Sequence, residues 1–321
     1  LVISTVLIAA FGIVQYILKL DLGLWKHAKD TGQFRITSIF SNPNALGSYF
    51  NMVLAFTVPT VLFGKDTRQR LLYIAASGVI FVALLLTFSR SAWIAFVAMM
   101  LYFVFVWNKK WLLAVPVVAA VTPFVMPDSV INRFSNLLDP TYYQMSSEYG
   151  RLAFWATALE KIKEAPLVGV GLGTFGDSVP LRHNIPFATW VDNHYLKIGA
   201  EIGVPGMLAF IGLLLALFLL AHKLQRQSMS GNSAASIYDA SSGSDSPGLG
   251  ASGNRDGAVN GVERRILTLC IAGVIITMSV QNVTASIFES LANAIYLYAF
   301  VGLLFSLLYG NGFWRDEVLL E

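Results

Sequence analysis

Apolar residues in this chain fall in long, nearly unbroken runs separated by short polar breaks, with little of the alternation of half-buried strands. A run of about 17 to 25 apolar residues can cross a bilayer as a helix. Such runs occupy 1–18, 45–64, 71–88, 91–107, 204–221, 266–280 and 291–309. A shorter one over 112–126 holds Pro116 and Pro123 and is counted as a span because the alternation of loops requires it. The pattern predicts an all-α, polytopic membrane helix bundle of about eight spans. It divides the chain into transmembrane helices over 1–126, an extracytoplasmic loop over 127–193, a re-entering and transmembrane helix over 194–223, a disordered cytoplasmic loop over 224–265, two further spans over 266–309 and a cytoplasmic tail over 310–321.

Composition agrees with the pattern. Of 321 residues, 55% are hydrophobic and 13% charged, about half the charged share of a soluble domain. The chain opens on Leu1 inside an apolar run, without a charged n-region or a small-residue cleavage site. The expectation is a piece of a longer protein with further helices ahead of it. Cys270, the one cysteine, excludes an internal disulfide and a cysteine metal cluster. The four histidines are scattered, with no acidic pair at ligand spacing, so no metal or other cofactor is expected. No basic-aromatic surface suggests nucleic acid.

Charge sets the expected topology. Lys65, Arg68 and Arg70 crowd one loop, Lys109 and Lys110 a second, and Lys223, Arg226, Arg264 and Arg265 bracket a third. Basic short loops mark the cytoplasmic side. The segment before Ser41, the turn at Arg90, the stretch 127–193 and the turn near Asn282 then share the opposite face. The third loop, rich in Ser, Gly, Ala and Asp, cannot bury enough apolar surface to order itself. In "RLAFWATALEKIKEAP", Leu152, Trp155, Leu159 and Ile162 fall at helical spacing before Pro166. This predicts an amphipathic helix lying in the membrane interface. "GLGTFG" (171–176) has the glycine spacing of a dinucleotide loop, but no βαβ unit can form between membrane spans. Its glycines are expected to make a tight turn or a close backbone approach. "NVT" at 282–284 matches a glycosylation sequon but hugs the membrane.

Candidate chemistry gathers on the extracytoplasmic face. Arg90 in "LLLTFSRSAWIAF" sits at the mouth of a helical hairpin, where a snorkelling arginine is the plain alternative. Arg35 precedes "SNPN", and Arg151 begins the amphipathic helix. A guanidinium stays charged and grips phosphate oxygens two at a time. Several at one membrane surface point to an anionic headgroup, with a diphosphate a good candidate. In "SNPN", Asn42 caps a helix that Pro43 starts, and Asn44 either assists capping or reaches a ligand. "DNHYL" offers two candidate bases, His194, which accepts a proton near neutral pH unaided, and Asp192. Asn193 and Tyr195 support them. Glu201 lies just before the helix-breaking "GVPG" (203–206) and is an intramembrane carboxylate candidate.

"FRITSIFSNPNALGSYF", "LLLTFSRSAWIAF", "SEYGRLAFWATALEKIKEAPLVGVGLGTF" and "DNHYLKIGAEIGVPGMLAF" resemble, in order and spacing, the O-antigen ligase/polymerase family. The resemblance runs from about Phe34 to Leu220. Its more specific parts are the Ser-Arg turn and Gly-Arg-x-x-x-Trp (150–155). It implies a GT-C-type fold in the bacterial inner membrane, with a periplasmic active site. It also implies metal-independent transfer of a glycan from an undecaprenyl-diphosphate carrier to an acceptor hydroxyl, as in polysaccharide or lipopolysaccharide biosynthesis. Arg90 and Arg151 would hold the diphosphate. A histidine at the start of the later helix would activate the acceptor. This chain departs there: in the family register the histidine falls on Asp192, with Asn193 matching the asparagine and His194 two positions on. The base is therefore His194 or Asp192, with His194 the first choice. The rival class is an inorganic anion transporter, bicarbonate-like, which the family also includes.

Overall fold

A computed structural model describes residues 1–23, 34–117, 120, 128–135, 138–176, 191–241 and 261–309. Among these residues it is all-helical. The helices are α1 (Val2–Ile17), α2 (Pro43–Phe63), α3 (Thr67–Leu86), α4 (Arg90–Trp107), α5 (Asp128–Ser135), α6 (Pro140–Tyr149), α7 (Arg151–Glu164), α8 (His194–Ser241), α9 (Gly261–Gln281) and α10 (Leu291–Tyr309).

Local chemistry fixes the helix ends. Asn42 accepts the amide of Ala45 at 2.8 Å and Pro43 opens α2, a paired start signal. Asp66 caps α3 through the amide of Arg68. Between α3 and α4 the chain reverses at Phe88, whose φ of +47° is unusual for a residue with a side chain. Its buried ring packs against Trp93 and Tyr16.

The bundle is built around α2 and α9. Fifteen of the 21 residues of α2 and twelve of the 21 of α9 are buried, against three of 20 on α3 and five of 18 on α4. The outer helices turn apolar side chains outward: Leu71, Leu72, Ile94 and Val97 are each more than half exposed, as expected where lipid replaces water. Among the described residues, four helices are long and apolar enough to cross a membrane: Pro43–Phe63, Thr67–Leu86, Arg90–Trp107 and His194–Gln227. Val2–Ile17 and Asn293–Ser306 are shorter apolar helices. The expected count of about eight is thus not reached among the described residues. The region expected as a span over 112–126 lies largely outside them, the part described beginning as a 3₁₀ turn, Lys109–Ala114.

α8 is broken where "GVPG" predicts, at Ile202 and Gly203, with Pro205 just beyond. Its backbone is helical as far as Ser241, into the stretch expected to be without order; residues 242–260 lie outside those described. The "SNPN" start of α2, the α3–α4 turn and the end of α9 all meet at one end of the bundle, where the amide of His194 donates to the Asn282 carbonyl at 2.9 Å. At the other end Arg265, near the start of α9, lies over the ring of Phe63. Asn282 is fully buried, which removes the sequon from reach.

α2 and α4 approach each other closely near their N-terminal ends. A Cβ on Gly47 would lie 2.7 Å from that of Ala92. Gly47→Val is expected to cost about 1–3 kcal/mol through overpacking. Gly78→Val, at a site with nothing within 4 Å, is expected to leave thermal unfolding in detergent unchanged.

Candidate functional site

The polar residues of the site sit where helices begin. Arg90 is the first residue of α4 and Arg151 the first of α7. Asn44 lies in the first turn of α2, and His194 opens α8 directly after Asp192 and Asn193. A helix N-terminus carries positive partial charge and unpaired amides. A cation there is poorly placed for helix stability and well placed to add to an anion-binding field.

Arg35 is held in a short segment tied on both sides. Gln15 of α1, buried, accepts the amides of Thr37 and Ser38 at 3.1 and 2.8 Å, and the amide of Ile36 donates to the Leu86 carbonyl. The buried Arg35 side chain donates from Nε to the Thr87 carbonyl (2.8 Å) and from Nη2 to Asn44 Oδ1 (3.0 Å). Asn44 also accepts from Ser89 Oγ at 2.9 Å. The carboxamide that either capped or reached a ligand in the sequence reading thus ties Arg35 to the α3–α4 turn, while Asn42 does the capping.

Arg90 is gripped by the small helices of the loop. It donates from Nη1 to the Arg133 carbonyl (3.1 Å) and from Nη2 to Tyr142 Oη (3.0 Å), and it lies over the Tyr142 ring. Arg133 in turn donates from Nη2 to the Phe88 carbonyl at 3.0 Å. Burial, followed by the charges of Arg133, Arg151 and Arg90, lowers the proton affinity of Arg35. Burial, followed by Arg90 and Arg151, does the same to Arg133. Four guanidinium groups therefore share one region and repel one another. The sequence reading found three of them and missed Arg133, which sits in "VINRFSN" inside the long loop. Nothing in that polar stretch marks the arginine out; the contact of its carbonyl with Arg90 comes from tertiary packing.

Arg151 reaches the fourth helix start. Its Nε donates to Asp192 Oδ2 at 3.0 Å, with each side chain about one-third exposed. Gly150 permits this junction: a Cβ there would lie 2.7 Å from Ser146 Cα. Asp192 has φ +51°, a conformation in which a residue with a side chain is uncommon. Asn193 accepts the Leu196 amide at 3.0 Å and so caps α8. Tyr195 donates to the Ser279 carbonyl at 2.8 Å.

The remaining candidates lie apart from the arginines. The His194 ring packs against Phe210 and Phe288, with centroids 5.5 and 5.1 Å away. Glu201, buried, accepts the Phe175 amide at 3.2 Å. It helps dock the glycine-rich loop on the break in α8, together with Val170 N–H to Ala200 O and Gly171 N–H to Glu201 O. Gly169 needs its φ of +69° and its missing Cβ, which would fall 2.3 Å from the Glu201 backbone. "GLGTFG" is thus a close backbone approach within the chain. α7 packs its Ala158 and Ile162 against Ala200 and Leu196 of α8, and leaves Leu152 and Leu159 exposed. An apolar groove of about 470 Å³ runs between α8 and α9, lined by Ile211, Leu214, Phe218, Ile275 and Val283, with Tyr195 also on its wall.

Residues 75–211 match the family model for O-antigen ligase. No curated protein matches the chain significantly. The matched span contains Arg90, Arg133, Arg151 and Asp192; Arg35 and Asn44 lie before it.

The arrangement predicts that inorganic pyrophosphate raises the unfolding temperature of the detergent-solubilised protein, because an anion relieves the repulsion. The shift should shrink as salt screens it. Arg133→Gln should reduce it about as much as Arg90→Gln does, as read by thermal unfolding with and without the ligand.

Proposed function

We propose that this chain, which matches the O-antigen ligase family model over residues 75–211, is a glycosyltransferase acting on a lipid-linked glycan. It moves the glycan from an undecaprenyl-diphosphate carrier to an acceptor hydroxyl. It works in the bacterial inner membrane, within a GT-C-type bundle of about eight spans that presents its site to the periplasm. The observation carrying this reading is the convergence of Arg35, Arg90, Arg133 and Arg151 at one end of an apolar bundle.

In this mechanism the acceptor oxygen attacks the anomeric carbon and the lipid diphosphate departs with its electron pair. Negative charge grows on the leaving phosphate oxygens. Fixed guanidinium groups in a water-poor site stabilise that charge most where it develops. The chemistry needs charge neutralisation at the diphosphate, and these side chains supply it without calling on a metal. The apolar groove between α8 and α9 suits the isoprenoid tail, since Tyr195 joins its wall to the segment carrying Asp192.

Of the two candidate bases, Asp192 is the better supported, against the first choice of the sequence reading. Its carboxylate touches Arg151, whereas the His194 ring lies between two phenylalanines. The transport reading finds no support: the polar groups collect at one end of the bundle, and the family match is to a ligase.

Removing one donor of this kind costs about 2.7–4 kcal/mol in other enzymes. Arg90→Ala and Arg151→Ala are each expected to lower transfer about 10²- to 10³-fold while the protein still inserts. Consumption of an undecaprenyl-diphosphate-linked glycan by purified protein is the assay, and near-normal transfer by Arg90→Ala refutes the role. Asp192→Ala is expected to abolish transfer and His194→Ala to retain a measurable rate. The reverse order returns the base to the histidine.

A further inference from the structure

Asp192 and Arg151 are assigned opposite tasks in the mechanism proposed above, yet they are bound to each other. Nε of Arg151 donates to Oδ2 of Asp192 at 3.0 Å. A carboxylate that accepts from a guanidinium is held toward that cation and has one of its acceptor sites occupied, so it is not aimed at an acceptor hydroxyl. A guanidinium whose Nε is engaged by a carboxylate is not free to present that nitrogen to a phosphate. Both side chains are one-third exposed, so the pair is neither locked by burial nor inaccessible to an arriving ligand.

The surroundings favour exchange over permanence. Arg35 and Arg133 feel the charges of both Arg90 and Arg151; Arg133 donates to the Phe88 carbonyl, and Arg35 to the Thr87 carbonyl and the Asn44 carboxamide. Among the described residues, Asp192 is the carboxylate ion-paired to this cluster. A diphosphate diester carries two negative charges where Asp192 carries one, so it outcompetes the carboxylate for the same field. Asp192 also sits at φ +51°, just ahead of the capped start of α8. A local rotation there moves its carboxylate without disturbing the helix that Asn193 caps.

We propose that the Arg151–Asp192 ion pair is a substrate-exchanged latch: the arriving lipid diphosphate takes Arg151 from Asp192, and the released carboxylate becomes the base. This rests on the glycosyltransferase reading above and adds an order to it, donor before acceptor. In the transfer step the acceptor oxygen bonds to the anomeric carbon and its proton passes to Asp192 Oδ2. The bond from that carbon to the phosphate oxygen breaks, and its electron pair leaves with the lipid diphosphate. When the lipid diphosphate departs, Asp192 gives its proton to water and pairs with Arg151 again. Arg151 is thus both a phosphate ligand and the group that restrains the base.

The test is a double-mutant cycle on binding alone, using the full chain in nanodiscs and glycan-free undecaprenyl diphosphate as the probe. Asp192→Asn removes the competitor for Arg151. It is expected to tighten probe binding about two- to fivefold, the size of a part-exposed ion pair, while transfer is lost. In an Arg151→Gln background the same substitution is expected to change affinity less than twofold. Asp192→Ser serves as a second variant should the asparagine fail to fold. Unchanged or weaker binding by the Asp192 variants overturns the latch. So does tightening that persists without Arg151, which would mark a general field effect of removing one negative charge. Either result leaves the diphosphate site standing if Arg90→Gln still weakens the probe. Wild-type protein that does not bind the probe overturns the site and the latch together.

Discussion

Like charges crowded at one end of an apolar bundle are the constraint around which this molecule is arranged. Guanidinium groups are costly where water is scarce and costlier beside one another. Each of the four has fixed acceptors. Arg35 has a carbonyl and a carboxamide, Arg90 a carbonyl and a phenol, Arg133 a carbonyl, and Arg151 a carboxylate. Three of the acceptors, Thr87, Phe88 and Asn44, meet at the reversal between α3 and α4. The left-handed Phe88 and the close approach at Gly47 follow from building that reversal tightly against α2. The positive end of the bundle is therefore the part the apolar scaffold is shaped to hold.

The same constraint accounts for the loop helices. α5 and α6 are short and polar, and by themselves have little to stabilise them. Their contacts with Arg90, through the Arg133 carbonyl and Tyr142, dock them over the membrane helices. α7 bridges outward from Gly150, carrying Arg151 at its head and packing Ala158 and Ile162 against α8. The break in α8 gives the glycine-rich loop a place to dock, which fixes the segment that follows Arg151 relative to the one that carries Asp192. On the proposed reading, this is how arginines from separate elements are aimed at one pair of phosphates.

Much of this was legible in the sequence. Long apolar runs placed α2, α3, α4, the second part of α8 and α9. Asn42-Pro43 gave the start of α2, and Gly203 with Pro205 gave the break in α8, because both rest on local backbone chemistry. Arg35, Arg90 and Arg151 stood out because charge is rare beside such runs. Arg133 did not stand out, since it lies in a polar loop where an arginine is ordinary, and only tertiary packing brings it beside Arg90. The roles of His194 and Asp192 were equally hidden. Two residues apart at a helix start, they differ in what surrounds them, and Phe210 and Phe288 come from distant parts of the chain. Asn44 and Glu201 looked available for a ligand, and each is occupied by contacts that hold the site together.

The central claim is that guanidinium groups from four separate elements grip one diphosphate. An experimental structure in a lipid bilayer with undecaprenyl diphosphate bound tests it most directly. The account predicts phosphate oxygens within hydrogen-bond distance of both Arg90 and Arg151. Phosphates bound elsewhere, with those two side chains still on Tyr142 and Asp192, would contradict it.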